Sequence, residues 1–182
     1  MAHGYSGTTW IAHALNQATY LTARHESMGH ELGEGFDGVE SNGHLWGQIP
    51  EIRERYPDAA VIHQVRNGRL VIRSHLARHP ERTFGQVCER WQVVNDRLAQ
   101  AIPSADRYRL EDLVTDFDAF RRLAERCGAG RVDRQAWERV RTTRVNALRK
   151  GHWLPPPAHW PTETEATFWR ICGETMEAMG YA

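Results

Sequence analysis

His3-Gly4-Tyr5-Ser6-Gly7-Thr8-Thr9-Trp10 decides how the rest of the chain is read. Two glycines bracket Tyr5-Ser6 and two threonines follow. Ile11, Ala14, Leu15 and Ala18 then share one face of a helix expected over residues 8–20. A small-residue turn running into a helix is an anion trap. The first-turn N–H groups lack intrahelical partners, the helix dipole favours negative charge, and glycine lets the backbone close on an oxyanion. The threonine hydroxyls are further donors. The plain alternative is a Gly-rich turn with a threonine N-cap. The nucleotide-triphosphate loop G-x-x-x-x-G-K-[ST] is not matched, because Gly-Lys-Thr is absent, and this argues against an ATPase or GTPase.

Outward from the turn, the chain alternates between short apolar runs and amphipathic segments. A loop of this kind is ordinarily fed by a buried strand of about five residues. Only Met1-Ala2-His3 precede Gly4, so the first strand is expected to be short or truncated. A short extended piece is expected over residues 21–24. Residues 27–47 hold seven Gly or Asn and read as a long surface loop. A short helix opened by Pro50 is expected over 49–56. Residues 59–65 form the strongest strand pattern, followed by helices over 69–79 and 83–102. A second strand is expected at 108–110, then helices over 116–127, ended by Gly128, and over 134–149. Pro155-Pro156-Pro157 is a rigid break, and a closing helix over 162–179 carries a Thr162/Glu165 capping box. Strands alternating with helices predict a parallel α/β sheet in one domain spanning residues 1–182.

Composition narrows the function. The 182 residues carry no net charge, which argues against a general nucleic-acid or membrane-surface binder. Lys150 is the sole lysine, so 22 of the 23 basic residues are arginines, suited to planar recognition of phosphate and sulfate. Genome-wide codon bias explains many of them equally well. Cys88, Cys127 and Cys172 are odd in number and form no C-x-x-C, which points to a reducing, cytoplasmic setting. No apolar run is long enough to span a membrane, and no signal-peptide pattern is present.

Ser6 to Trp10 is similar to the phosphosulfate-binding loop, Lys/Arg-Ser-Gly-Thr-Thr-Trp, of sulfotransferases that use 3′-phosphoadenosine 5′-phosphosulfate (PAPS). Tyr5 stands where that family carries its basic residue; Arg24 and Lys150 are the candidates to replace its charge. Arg66 closes the strand pattern and Ser74 follows eight residues later. This resembles the Arg and Ser that bind the nucleotide 3′-phosphate in the family. Arg149-Lys150-Gly151 resembles its C-terminal Arg-Lys-Gly element, which closes over the same phosphate. Leu110-Glu111-Asp112-Leu113 resembles its Tyr-Glu-Asp-Leu segment, so that Tyr108, Leu110 or, better, Trp10 is expected beside the adenine. The resemblance implies a P-loop-like three-layer α/β fold, with a central parallel sheet flanked by helices. It also implies PAPS as donor, a 5′-phosphosulfate held by the turn from Tyr5 to Trp10, and no metal.

Two residues compete as the base that deprotonates an acceptor hydroxyl or amine. His44 lies 22 residues before Arg66, the separation found in cytosolic sulfotransferases. Glu26, in Arg24-His25-Glu26, resembles a His-Glu pair of bacterial relatives, and His25 ranks third. Neutral histidine suits the role directly, whereas glutamate needs burial. His25 and His30 superficially resemble a zincin pair. Their five-residue spacing puts them about 140° apart on a helix, which argues against zinc. Two other readings stand: a non-catalytic adenosine-bisphosphate binder of the same fold, and a small-molecule kinase. The acceptor is expected to be a small molecule or glycan whose pocket is shaped by residues 27–47. Oligomeric state is left open.

Overall fold

Helix α1 (Thr8–Ala18) starts at the turn, with Gly7 at its N-cap in the left-handed conformation at φ 97°. No L side chain sits comfortably there, and a Cβ would lie 2.5 Å from Leu110 Cδ2. The N-cap is therefore the glycine and not a threonine. The computed structural model describes residues 6–35, 37–143 and 154–181. Tyr5, Arg149, Lys150 and Gly151 lie outside the described residues, as does the expected helical stretch beyond residue 143.

Mixed α/β architecture holds, with 59% of the described residues helical. Strand β1 (Ala23–His25) pairs in parallel with β2 (Val39–Ser41), with Ala23 opposite Val39. Strand β3 (His63–Val65) pairs in parallel with β4 (Arg107–Arg109), with His63 opposite Arg107. One central sheet was the expectation; among the described residues there are instead two separate two-stranded sheets. The strand expected over 59–65 pairs only at its last three residues. The strand expected at 108–110 ends one residue early, because Leu110 opens helix α5 (Leu110–Thr115). Strand β2 falls inside the stretch read as a loop.

The turn joins the two sheets. Gln64 on β3 donates its side-chain amide to the Ser6 carbonyl, and Ser41 at the end of β2 donates its hydroxyl to the Thr8 carbonyl at 2.9 Å. Both strand pairs thus end on the same few residues.

Helices cover the rest, their ends set by local chemistry. Pro50 opens α2 (Ile49–Arg55). Asn67 caps α3 (Gly68–Arg78) by accepting from Arg69 N at 3.0 Å. Thr83 and Gln86 form a reciprocal capping box on α4 (Phe84–Ala101). Asp116 and Asp133 cap α6 (Phe117–Arg126) and α7 (Arg134–Arg141). Gly128, at φ 93°, turns the chain after α6. The box expected on α8 (Thr162–Ala178) does not form: Pro161 is the N-cap, and Glu165 pairs instead with Arg69 and with Trp169 Nε1. A tertiary ion pair outcompetes the local cap. Around α1 the core holds Trp10, Leu15, Leu113, Phe120 and Trp137; a second body of packing holds Ile72, Trp91, Phe168 and Met176 between α3, α4 and α8.

Candidate functional site

The β1–β2 flank of the turn gathers the polar side chains. His25, the last residue of β1, brings Nε2 to 2.9 Å from Thr8 Oγ1 and 3.1 Å from Thr9 Oγ1. Glu26 follows with Oε1 at 3.7 Å from the same nitrogen and at 3.3 Å from His44 Nε2. The His44 ring then packs on His30 at 4.0 Å between centroids. Residues 16 or more apart in sequence so converge on the first turn of α1. Glu26 and His44, rivals for one role in the sequence, stand here as a pair.

Backbone geometry holds this cluster in place. Among the described residues Glu26 is the non-glycine residue with positive φ, at 52°, while its N–H extends the strand ladder to Ser41 O at 3.1 Å. A glutamate in that region stores about 1–3 kcal/mol of strain, which the surrounding structure must offset, and such outliers concentrate at functional sites. Buried Asn42 positions His44: its Oδ1 accepts from His44 N at 2.6 Å and Leu45 N at 3.2 Å, and its Nδ2 donates to Gly29 O and Glu40 Oε1. Asn42-Gly43 was read only as a loop breaker. An Asn whose side chain closes a turn over the next two residues is the signal that could have singled it out.

This geometry is not a Ser/Thr-His-acid triad. In a triad the acid bonds the nitrogen opposite the nucleophile, whereas here the threonines and Glu26 all approach the same Nε2. The arrangement suits holding donors toward an anion and moving a proton nearby. Among the described residues no group of three or more His, Cys, Asp or Glu is placed to hold a metal.

On the β3–β4 flank, Arg66 leaves the end of β3 two residues after Gln64, at the same strand edge as the turn. Its charged neighbourhood is already built. Glu111 Oε1 accepts from Asn67 N at 3.1 Å and Oε2 accepts from Tyr181 OH at 2.5 Å. Burial draws the Arg66 guanidinium below its usual value, opposed by Glu111 and Tyr181. Burial, helped by Glu111, pushes the Tyr181 phenol up, so it remains a donor. Arg109 forks onto Asp112 with two 2.8 Å bonds and reaches Gly180 O at 2.5 Å. Ser74 is buried on α3. Glu111 was read only as part of a motif, and nothing in its local sequence announces these partners.

Trp10, expected beside an adenine, is placed in the core. Its ring meets Phe120 edge-on and its Nε1 faces Val140 O at 3.4 Å. Leu110 lies against Gly7, and Tyr108 packs with the α1 core. A cavity of about 480 Å3 lies at the start of β2, lined among others by Met28, Val39, Glu40, Leu45, Tyr56 and Cys127. Burial lifts the Cys127 thiol to about 11, so it stays protonated and unreactive at neutral pH.

No protein-family model, no curated protein and no solved structure matches this chain. Among the described residues no helix is long and apolar enough to cross a membrane.

Proposed function

We propose that this chain is a sulfotransferase that moves a sulfuryl group from PAPS to a hydroxyl or amine, on a P-loop-like scaffold. One observation carries the reading: the threonine turn and both candidate bases meet at a single strand edge, linked through His25. The backbone amides from Ser6 to Trp10 and the hydroxyls of Thr8 and Thr9 receive the 5′-phosphosulfate. Trp10 contributes its N–H, its ring being committed to the core. Arg66 and Ser74 receive the 3′-phosphate, joined on the sequence resemblance by Arg149, Lys150 and Gly151.

The transfer is an in-line displacement. The acceptor oxygen forms a bond to sulfur, the bond from sulfur to the 5′-phosphate oxygen breaks, and adenosine 3′,5′-bisphosphate leaves with the electron pair. The acceptor proton passes to His44, whose cation Glu26 stabilises from 3.3 Å. The two residues thus act as one base. The acceptor reaches them from the cavity bordered by Met28 and Glu40, which residues 27–47 shape together with residues 52–62 and 126–128. Positioning and charge neutralisation supply most of the rate, as in phosphoryl transfer.

The test is mass spectrometry of acceptor panels incubated with PAPS, beside thermal unfolding with adenosine 3′,5′-bisphosphate or with ATP and magnesium. A sulfated product with selective protection by the bisphosphate is the expected result. Protection without any product leaves a binder. Protection by ATP alone overturns the reading in favour of a kinase.

A further inference from the structure

The cavity at the start of β2 has an interior and a rim of opposite character. Its volume of about 480 Å3 falls within the ordinary range for small-ligand pockets, about 300–1,000 Å3, and suits one compact body and not an extended chain of sugars. Leu45 and Ile52 line it as buried residues, and Met28, Val39 and Val61 as half-buried ones. Asp58, Ala60 and Arg126 are its exposed lining. An occupant therefore meets apolar surface at depth, and water with charge at the mouth.

Most polar groups of the wall are already committed. The Tyr56 hydroxyl donates to the Gly33 carbonyl. Glu40 accepts from Ser27 Oγ at 2.6 Å and from Asn42 Nδ2 at 3.1 Å. Arg126, the basic side chain among the described lining residues, forks onto Asp106 at 2.6 and 3.1 Å. Arg24 stands in register with Glu40 across the strand pair but is not among those lining residues. Asp58 differs: among the described residues its carboxylate has no hydrogen bond or ion pair. An anionic ligand would meet two carboxylates and a guanidinium already neutralised. A sugar would press its hydroxyls against apolar side chains that cannot replace their water. A cation with an apolar body meets neither obstacle.

We infer that this cavity binds a compact hydrophobic amine, with its apolar body against Leu45 and Ile52 and its protonated amino group at the rim beside Asp58. Burial of the body supplies affinity, and the carboxylate supplies the choice between charge classes. As the acceptor, a role that rests on the sulfotransferase reading, such a molecule presents a hydroxyl to sulfur, because a protonated amine has no lone pair with which to attack. Glycans and anionic acceptors are excluded.

Three probes of matched shape separate the classes: at neutral pH tyramine is cationic, 4-ethylphenol neutral and 4-hydroxyphenylacetate anionic. Calorimetric titration of the full chain without PAPS should rank their affinities in that order. Tyramine should bind about 2–5-fold more tightly than 4-ethylphenol, the scale of one exposed ion pair, and the gap should close in high salt. Glucosamine, cationic but without an apolar body, should give no measurable heat. Asp58 is exposed, so its variants should fold as the wild type does. Asp58→Asn should bring tyramine down to the level of 4-ethylphenol, and Asp58→Lys should place 4-hydroxyphenylacetate above tyramine. Ala60→Trp, at the rim, should weaken all three. Equal binding of the three probes, an unchanged ranking in Asp58→Asn, glucosamine binding as tightly as tyramine, or no binding by any probe overturns the inference. Mass spectrometry of the same probes incubated with PAPS separates the two levels. Asp58-dependent binding with no sulfated product leaves the amine site standing and removes the sulfotransferase reading. Sulfated products without the charge ranking do the reverse.

Discussion

The two flanks of the turn are built on opposite principles. On the β1–β2 side, His25, Glu26 and His44 have side chains 28–30% exposed, and Glu26 carries strained backbone. On the β3–β4 side, Glu111 accepts from Asn67 and Tyr181, and Arg109 is tied to Asp112 and Gly180. The first flank carries the side chains that the proposed transfer uses as its base. The second is largely satisfied within itself, so the phosphate proposed for Arg66 would have to compete with the field of Glu111. Exposed, strained side chains and a self-satisfied polar network are thus divided across one turn.

The largest expected effect tests the first flank. His44→Ala should lower turnover about 10²–10⁴-fold, the usual weight of general base catalysis, with little change in melting temperature. Equal losses of activity and stability in that variant would erase the contrast between the flanks. Single-turnover measurements of Glu26→Gln beside it show whether the pair acts as one unit, since the double variant should then be no worse than the worse single one.

A pH effect of about 3 kcal/mol probes the self-satisfied side. His63 is fully buried at the start of β3. Asn95 Nδ2 donates to Trp91 O at 2.7 Å, so its Oδ1 accepts from His63 Nε2 at 3.1 Å, and among the described residues His63 Nδ1 has no partner. Burial lowers the His63 pKa to about 4 from an ordinary 6.5, against the bond to Asn95. Below 6.5 the unfolded imidazole takes up a proton that the folded one refuses. Stability is therefore complete above that pH and falls by about 3 kcal/mol as pH drops toward 4. Denaturant titrations of wild type and His63→Gln across this window should diverge. Parallel curves would refute the assignment.

Glu111→Ala should cost about 2–4 kcal/mol by chemical denaturation, because it strands the Asn67 N–H and the Tyr181 hydroxyl beside a half-buried guanidinium. The same change should tighten adenosine 3′,5′-bisphosphate binding by freeing Arg66 for phosphate. Weaker binding would mean that Glu111 orients Arg66 and does not compete for it. The smallest effect sharpens the comparison from the other direction. Glu26→Gly relieves the positive φ and should stabilise the fold by about 1 kcal/mol while abolishing turnover. A destabilised variant would show that the Glu26 side chain contributes more to folding than its backbone strain costs.

Much of the helical frame was legible in the chain. Thr83/Gln86, Asn67, Asp133 and Gly128 end their helices through contacts within a few residues, which local sequence encodes. The exceptions are instructive. Glu165 leaves its expected cap for Arg69, a partner 96 positions away. Strand β2 hides among glycines because three paired residues carry too little periodicity to register. Trp10 reads as a ligand contact in a motif, yet its size suits it to the interior beside Phe120.

Sequence alone determined the Gly-Thr-Thr turn, the helix that starts from it and the residue types able to meet an anion or take a proton. Those depend on backbone freedom and on periodicity within a few residues. The tertiary structure decided that His25 reaches both threonines, that Glu26 and His44 form a pair, and that Glu111 stands guard over Arg66. Each of these arrangements joins residues brought together only when α1 packs on β1, β1 lies beside β2, or β3 lies beside β4. No local pattern records the outcome of that packing.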